Sequence, residues 1–126
     1  MIFVDANVFM YAVGREHPLR DPARRFFAES KSEGAPLCSS AEVLQELMHA
    51  FVSTRRLERL EVAMRLADNA MARIWDIEAA DVQLAHTLVP RYPSLSARDL
   101  VHLASCRRRD VRAIKTWDRA LASAFE

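Results

Sequence analysis

The chain has 126 residues, of which 51% are hydrophobic and 28% are charged, and its formal net charge is +1. This length supports one domain with a buried core, and the composition excludes disordered and fibrous proteins. No apolar run approaches the roughly 20 residues of a membrane-spanning helix. Residues 1–5 lack the basic flank of a secretion signal, so we expect a cytoplasmic location. Cys38 and Cys106 have no metal-ligand spacing and are interpreted as small buried apolar residues.

The first half of the chain predicts two strands, each followed by a helix. Residues 2–4 are apolar and partly β-branched, which is typical of a strand buried on both faces. A helix over 22–33 follows, because proline stands at its first position and glycine directly after its end. A very short strand is predicted at 36–38. Ser39 and Glu42 then have the capping-box spacing that opens the next helix.

The second half continues the alternation of helices and strands. Its predicted elements are the helices 57–71, 78–89 and 96–109 and the strands 72–77 and 111–116. Asp118 is placed to open a closing helix. Strands that alternate with helices indicate an α/β fold whose central, mostly parallel sheet is covered on both faces.

Four acidic residues are placed by this topology at one edge of the sheet. Asp5 and Asp118 directly follow the first and last strands. Glu46 lies on the helix after the second strand, and Asp99 lies in the first turn of the helix before the last strand. Because ligands bind beyond the carboxyl ends of parallel strands, we expect the four carboxylates to converge there.

Carboxylates this close to one another repel unless a cation neutralises them. A hard divalent cation with oxygen ligands is the usual solution, so the sequence implies Mg²⁺ or Mn²⁺. Such a centre activates water to hydrolyse phosphodiesters and needs no serine, cysteine or histidine nucleophile.

Four short motifs, in this order, resemble those of PIN-domain ribonuclease toxins of the VapC family. They are Val4–Tyr11 (VDANVFMY), Ser40–Leu47 (SAEVLQEL), Leu95–Ala104 (LSARDLVHLA) and Lys115–Asp118 (KTWD). Each motif alone is weak, but together they cover essentially the whole chain in the expected strand or helix context. The resemblance therefore carries expectations about fold, site and partners.

The resemblance implies one PIN domain over 1–126, folded as a three-layer α/β/α sandwich. It implies catalysis by Asp5, Glu46, Asp99 and Asp118, with Asp5 and Asp99 as the direct metal ligands. Asn7 and Thr116 match polar positions beside the acidic residues and are expected to orient a water or a carboxylate. The implied partners are a structured RNA substrate (transfer, ribosomal or messenger RNA), a VapB-like antitoxin and a second copy of the chain in a homodimer.

Each acidic residue also has a structural interpretation. Asp99 has the spacing of a capping box with Ser96, and Asp118 suits a helix N-cap. Glu42 and Glu46 lie four residues apart and share one helix face, so either suits the second motif. We choose Glu46, because Glu42 is expected to cap its helix opposite Ser39 and because Glu46 stands in the Gln-Glu-Leu context that resembles the family motif.

The other polar residues are interpreted as structural. Asp68, Asp76, Asp81 and Asp110 are expected at the surface or in caps, and the run 107–109 as a solvated helix end. All four histidines, including His102, are expected to be structural, whereas Arg98 is a candidate RNA contact. The alternatives to a toxin are a PIN-type nuclease without an antitoxin, acting in RNA processing or on DNA, and a non-catalytic protein-binding PIN module.

Overall fold

Four parallel strands form the centre of the molecule in a computed structural model that describes residues 1–126. The strands are β1 (Ile2–Val4), β2 (Leu37–Ser40), β3 (Arg73–Trp75) and β4 (Ala113–Lys115). The helices are α1 (Ala6–Val13), α2 (Arg20–Glu33), α3 (Ala41–Ser53), α4 (Leu57–Ala70), α5 (Ala79–Leu88), α6 (Ala97–Arg108) and α7 (Arg119–Ala124). The spatial order β3-β2-β1-β4 places β1 inside the sheet.

Helices cover both faces of this sheet. Phe3 and Val4 are neighbours on β1, so their side chains point to opposite faces, and both are fully buried. Helices α1 to α4 pack against one another, and a second apolar core forms among α5, α6 and α7. The predicted three-layer α/β/α sandwich is therefore confirmed. None of the seven helices is both long enough and apolar enough to cross a membrane.

Helix α1 is the element that sequence analysis did not predict. Asp5 is its N-cap, and the carboxylate accepts a hydrogen bond from the backbone N–H of Ala6. Val8 and Phe9 are buried in its first half. The apolar run of β1 thus continues into α1, and periodicity over so few residues does not separate the two. The predicted stop of α2 is confirmed, since Gly34 adopts φ +66°, a left-handed conformation that favours glycine.

The predicted capping box at the start of α3 is wrong. Ser40, rather than Ser39, is the N-cap residue, and its side chain makes no capping hydrogen bond. The hydroxyl of Ser39 donates instead to the carbonyl of Val4 on the neighbouring strand. Glu42 is therefore free of the capping role that sequence analysis gave it.

Asp81, which was expected at the surface or in a cap, is a capping residue but is fully buried. Its carboxylate accepts from the backbone N–H of Glu78, which completes a capping box on α5. The guanidinium groups of Arg108 and Arg109 both lie 2.8 Å from its Oδ1. The end of α6 is thus an ion-paired link to α5 rather than the expected solvated helix end.

This link predicts a loss of stability in acid. Burial by itself raises the pKa of Asp81, but hydrogen bonds from Arg109, the Glu78 N–H and Arg108 outweigh it and lower the pKa to about 2. Because the pKa of Asp81 is lower in the folded chain than in the unfolded chain, its charged form stabilises the fold above about pH 4. This contribution, about 2 kcal/mol, is lost as the pH falls towards 2. Denaturant unfolding at several acidic pH values is expected to show this decline in the free energy of unfolding.

The matched variants are Asp81→Asn and Asp68→Asn, the second of which removes an exposed carboxylate on α4. Asp81→Asn is expected to lose this part of the pH dependence, whereas Asp68→Asn keeps it. Equal pH profiles for the wild type and Asp81→Asn would contradict the prediction.

Candidate metal centre and active site

Asp5 is held in place where β1 passes into α1. Its Oδ1 accepts from the backbone N–H of Ala6 at 2.7 Å, and its Oδ2 accepts from the hydroxyl of Thr116 at 2.7 Å. The residue is only 6% exposed. Because β1 and β4 are adjacent parallel strands, the residues that follow them meet at one edge of the sheet.

A hydrogen-bond network surrounds this carboxylate. The side-chain amide of Asn7 donates to Thr116 Oγ1 at 3.2 Å, and the backbone N–H of Asp118 donates to the same oxygen at 3.0 Å. The backbone N–H of Trp117 donates to Asn7 Oδ1 at 3.3 Å. The structure thus brings Asn7 and Thr116 beside Asp5, where sequence analysis expected them.

Glu46 reaches the same centre from the middle of α3. Its Oε2 lies 3.1 Å from Nε2 of His102, a residue of α6, and this nitrogen lies 3.8 Å from Oδ1 of Asp5. One ligand atom from each of the three side chains lies within 4.8 Å of the others. The centre is therefore a buried cluster of two carboxylates and one imidazole.

The electrostatics of the cluster follow from burial and mutual charge. Burial raises the pKa of Asp5, and the charge of Glu46 adds to this, whereas His102 and the Thr116 hydrogen bond oppose it. Burial by itself lowers the pKa of His102, but the hydrogen bond and charge of Glu46 and then the charge of Asp5 outweigh it and raise that pKa. A positive charge beside the two carboxylates, from the His102 imidazolium or a bound cation, therefore reduces their mutual repulsion.

Asp99 and Asp118 lie outside the three-residue cluster, but Asp99 is close enough to Asp118, Asp5 and His102 to interact with their charges. Burial raises the pKa of Asp99, and the charges of Asp118 and Asp5 raise it further. The backbone N–H of Asp99 donates to Ser96, the N-cap of α6, and Asp118 caps α7 through the N–H of Leu121 at 3.1 Å. Asp118 therefore acts as a cap, whereas only the Ser96 half of the capping box expected for Asp99 is present.

The two glutamates of α3 differ in their surroundings. Glu46 joins the cluster, and its side chain is 14% exposed. Glu42 has a side chain that is 26% exposed and lies 3.4 Å from Nε of Arg98. Arg98 also approaches Glu46, at 3.9 Å, so it partly neutralises both carboxylates.

His102 is the residue of the centre that sequence analysis missed, since all four histidines were expected to be structural. Its ring is fully buried and lies 5.4 Å from the ring of Phe3, which fits that view, but Nε2 contacts the acidic cluster. One signal was available. His102 follows Asp99 by three residues, which places both on one face of α6.

The donor set fits a divalent metal ion. Carboxylate oxygens are the ligands that Mg²⁺ and Mn²⁺ prefer, and Asp5 and Glu46 bring two of them close together. His102 contacts Glu46 through Nε2, the nitrogen that carries the proton in such a hydrogen bond, so it is better placed to orient that carboxylate than to bind the ion itself. The arrangement suits hydrolysis of a phosphodiester by an activated water.

Comparison with known proteins identifies the family of this chain. The family model of the PIN domain matches residues 2–125. Ribonuclease VapC23 of Mycobacterium tuberculosis is 56% identical over 125 residues, which cover 99% of this chain and 98% of that protein. Ribonuclease VapC13 of the same organism is 37% identical over 123 residues, 98% of this chain and 94% of the relative. The chain therefore belongs to the PIN-domain family, among its VapC ribonucleases.

Two solved structures share the fold. The crystal structure of Mycobacterium tuberculosis VapC20, a sarcin–ricin-loop-cleaving toxin, superposes with a TM-score of 0.83 at 17% identity and covers 98% of this chain and 95% of that one. VapBC2 from Rickettsia felis, bound to a DNA fragment from its promoter, has a TM-score of 0.65 at 15% identity and covers 94% of this chain and 100% of that one. At these identities the likeness concerns the fold alone.

Proposed function

We propose that this chain is a metal-dependent endoribonuclease and the toxin of a type II toxin–antitoxin module. The observation that carries the proposal is the buried cluster in which ligand atoms of Asp5, Glu46 and His102 lie within 4.8 Å of one another. Carboxylates are costly to bury without a counter-charge, so their retention at the carboxyl edge of the sheet supports a metal site. The ribonuclease names of relatives at 56% and 37% identity support the reaction class.

Mg²⁺ or Mn²⁺ is the proposed cofactor, with Asp5 and Asp99 as direct ligands and Glu46 and Asp118 completing the catalytic set. When bound, such an ion lowers the pKa of water and stabilises charge on the scissile phosphate. The protein holds Asp5 in one orientation through the Ala6 N–H and the Thr116 hydroxyl. A carboxylate fixed in this way loses little conformational freedom when it takes part in catalysis.

Glu46 is held by contacts from two sides. His102 fixes one carboxylate oxygen at 3.1 Å, and Arg98 approaches the other at 3.9 Å. These contacts hold the carboxylate in place beside Asp5, which suits the binding of an ion or the positioning of the attacking water.

The proposed substrate is structured RNA cut at unpaired segments, where bases are accessible to a protein. Which transfer, ribosomal or messenger RNA is cut depends on surfaces around the centre rather than on the carboxylates. A VapB-like antitoxin is the proposed inhibitor, in keeping with the toxin–antitoxin complex that shares this fold. Homodimerisation and a cytoplasmic location remain predictions of the sequence analysis.

The test is cleavage of total cellular RNA by the purified chain, freed of any bound partner. Discrete fragments are expected with Mg²⁺ or Mn²⁺ and none with a chelator, because the carboxylates alone supply no cation to activate water. Sequencing the new 5′ ends identifies the target. Intact RNA under every condition, with DNA cut instead, would favour a DNA nuclease, and no cleavage of either would favour a binding module.

A further inference from the structure

A cavity of about 390 Å³, within the size range of ligand sites, lies next to Asn7. Its walls are formed by α1, the following loop 14–17, the end of α3 and the start of α4, and Asn7 is one of the lining residues. Asn7 also contacts Thr116, which in turn donates to Asp5. One side chain, that of Thr116, therefore connects the cavity wall at Asn7 to the proposed catalytic Asp5.

Three arginines converge on this cavity without acidic partners. Arg15, Arg56 and Arg59 line it, and none of them forms an ion pair with a carboxylate. Arg108 and Arg109, by contrast, are bound to Asp81 on the other side of the molecule. Unpaired guanidinium groups are suited to bidentate contact with phosphate. They also offset the repulsion that the acidic centre exerts on a polyanion.

Aromatic rings form another part of the cavity wall. The rings of Tyr11 and His17 are stacked with centroids 4.6 Å apart, and both residues line the cavity. Trp117 contacts the Tyr11 ring edge-on at 5.8 Å, which connects this surface to the network around Asn7. Aromatic side chains of this kind stack on the unpaired bases of single-stranded nucleic acid.

We propose that this cavity binds the single-stranded RNA segment that flanks the cleaved phosphodiester. A base lies against the Tyr11–His17 pair, and backbone phosphates contact Arg15, Arg56 and Arg59. This inference rests on the proposed function and adds to it the surface that positions the substrate. The acidic centre then performs the reaction, and the arginine and aromatic surface holds the RNA on one side of it.

The experiment measures binding separately from cleavage. The Asp5→Asn variant is titrated with a short fluorescein-labelled oligouridine in chelator, and fluorescence anisotropy is followed over a range of salt concentrations. Adding Arg56→Ala and Arg59→Ala together is expected to weaken binding about tenfold. The plot of log affinity against log salt becomes shallower by about 1.4, because each phosphate contact on a single strand contributes about 0.7. Thermal melting confirms that each variant is folded.

Matched controls separate the two parts of the surface. Arg73→Ala removes one exposed arginine of the edge strand β3, which does not line the cavity, and is expected to leave affinity and slope unchanged. His17→Ala is expected to weaken binding roughly fivefold without changing the salt slope, because stacking involves no phosphate. His86→Ala, an exposed histidine of α5, serves as its control.

An unchanged affinity and salt slope in the double arginine variant would overturn the proposal and assign these arginines to another partner, such as an antitoxin. Failure of the nuclease proposal looks different. In that case the wild-type chain still binds oligouridine through Arg56 and Arg59, but it cleaves no RNA when metal is added.

Discussion

Asp5→Asn is expected to reduce RNA cleavage by about a thousandfold. A bound metal ion supplies several kcal/mol of transition-state stabilisation, and about 4 kcal/mol corresponds to this factor. Asparagine keeps the size of the side chain and an oxygen for the Ala6 N–H but lacks the charge that holds a cation. Cleavage rates at saturating Mg²⁺ and Mn²⁺ measure the loss.

The same substitution is not expected to destabilise the fold. Burial raises the pKa of Asp5, which means that the folded chain disfavours the charged form relative to the unfolded chain at neutral pH. A neutral asparagine removes this cost, so the melting temperature measured in chelator should stay level or rise. Asp99→Asn is expected to behave in the same way, because burial and the charge of Asp118 raise the pKa of Asp99.

Asp21→Asn provides the control, since Asp21 is an exposed carboxylate in the first turn of α2, away from the acidic centre. Its cleavage rate should match that of the wild type. If Asp5→Asn were to retain more than about a tenth of wild-type activity, Asp5 would not be an essential ligand.

Glu46→Gln is expected to lower kcat/KM about a hundredfold, whereas Glu42→Gln changes it less than about fivefold. The two glutamates stand one turn apart on α3, so the helix and the charge change are the same in both variants. Only Glu46 contacts His102 and belongs to the buried cluster. Glu42 contacts Arg98 in a more exposed position, where an ion pair contributes little.

The Mg²⁺ dependence of cleavage distinguishes a role of Glu46 in metal binding from a general disturbance of the fold. Loss of its charge should raise the Mg²⁺ concentration needed for half-maximal cleavage, and Glu42→Gln should leave that concentration unchanged. The reverse order of effects would show that Glu42 is the acidic residue of the second motif and that the choice of Glu46 is wrong.

The sequence located much of this centre because the necessary information is local. A carboxylate directly after a buried strand, as at Asp5, lies at the carboxyl edge of a parallel sheet in any arrangement of the helices. The sequence placed Asp99 at the same edge because it lies in the first turn of a helix, and Asp118 because it caps one. The motif context favoured Glu46 over Glu42, although the capping role assumed for Glu42 was wrong because Ser39 bonds to the neighbouring strand instead.

Contacts between distant parts of the chain were decided only by the tertiary structure. His102 and Glu46 lie 56 positions apart, and Arg109 reaches Asp81 across 28 positions. The order in which helices pack brings these pairs together, and no spacing along the chain encodes that order. Helix packing also decides which arginines pair with a carboxylate and which, like Arg56, line an open cavity. The sequence thus determined the fold class and predicted four carboxylates at one edge of the sheet, and the packing of the helices decided which side chains contact them.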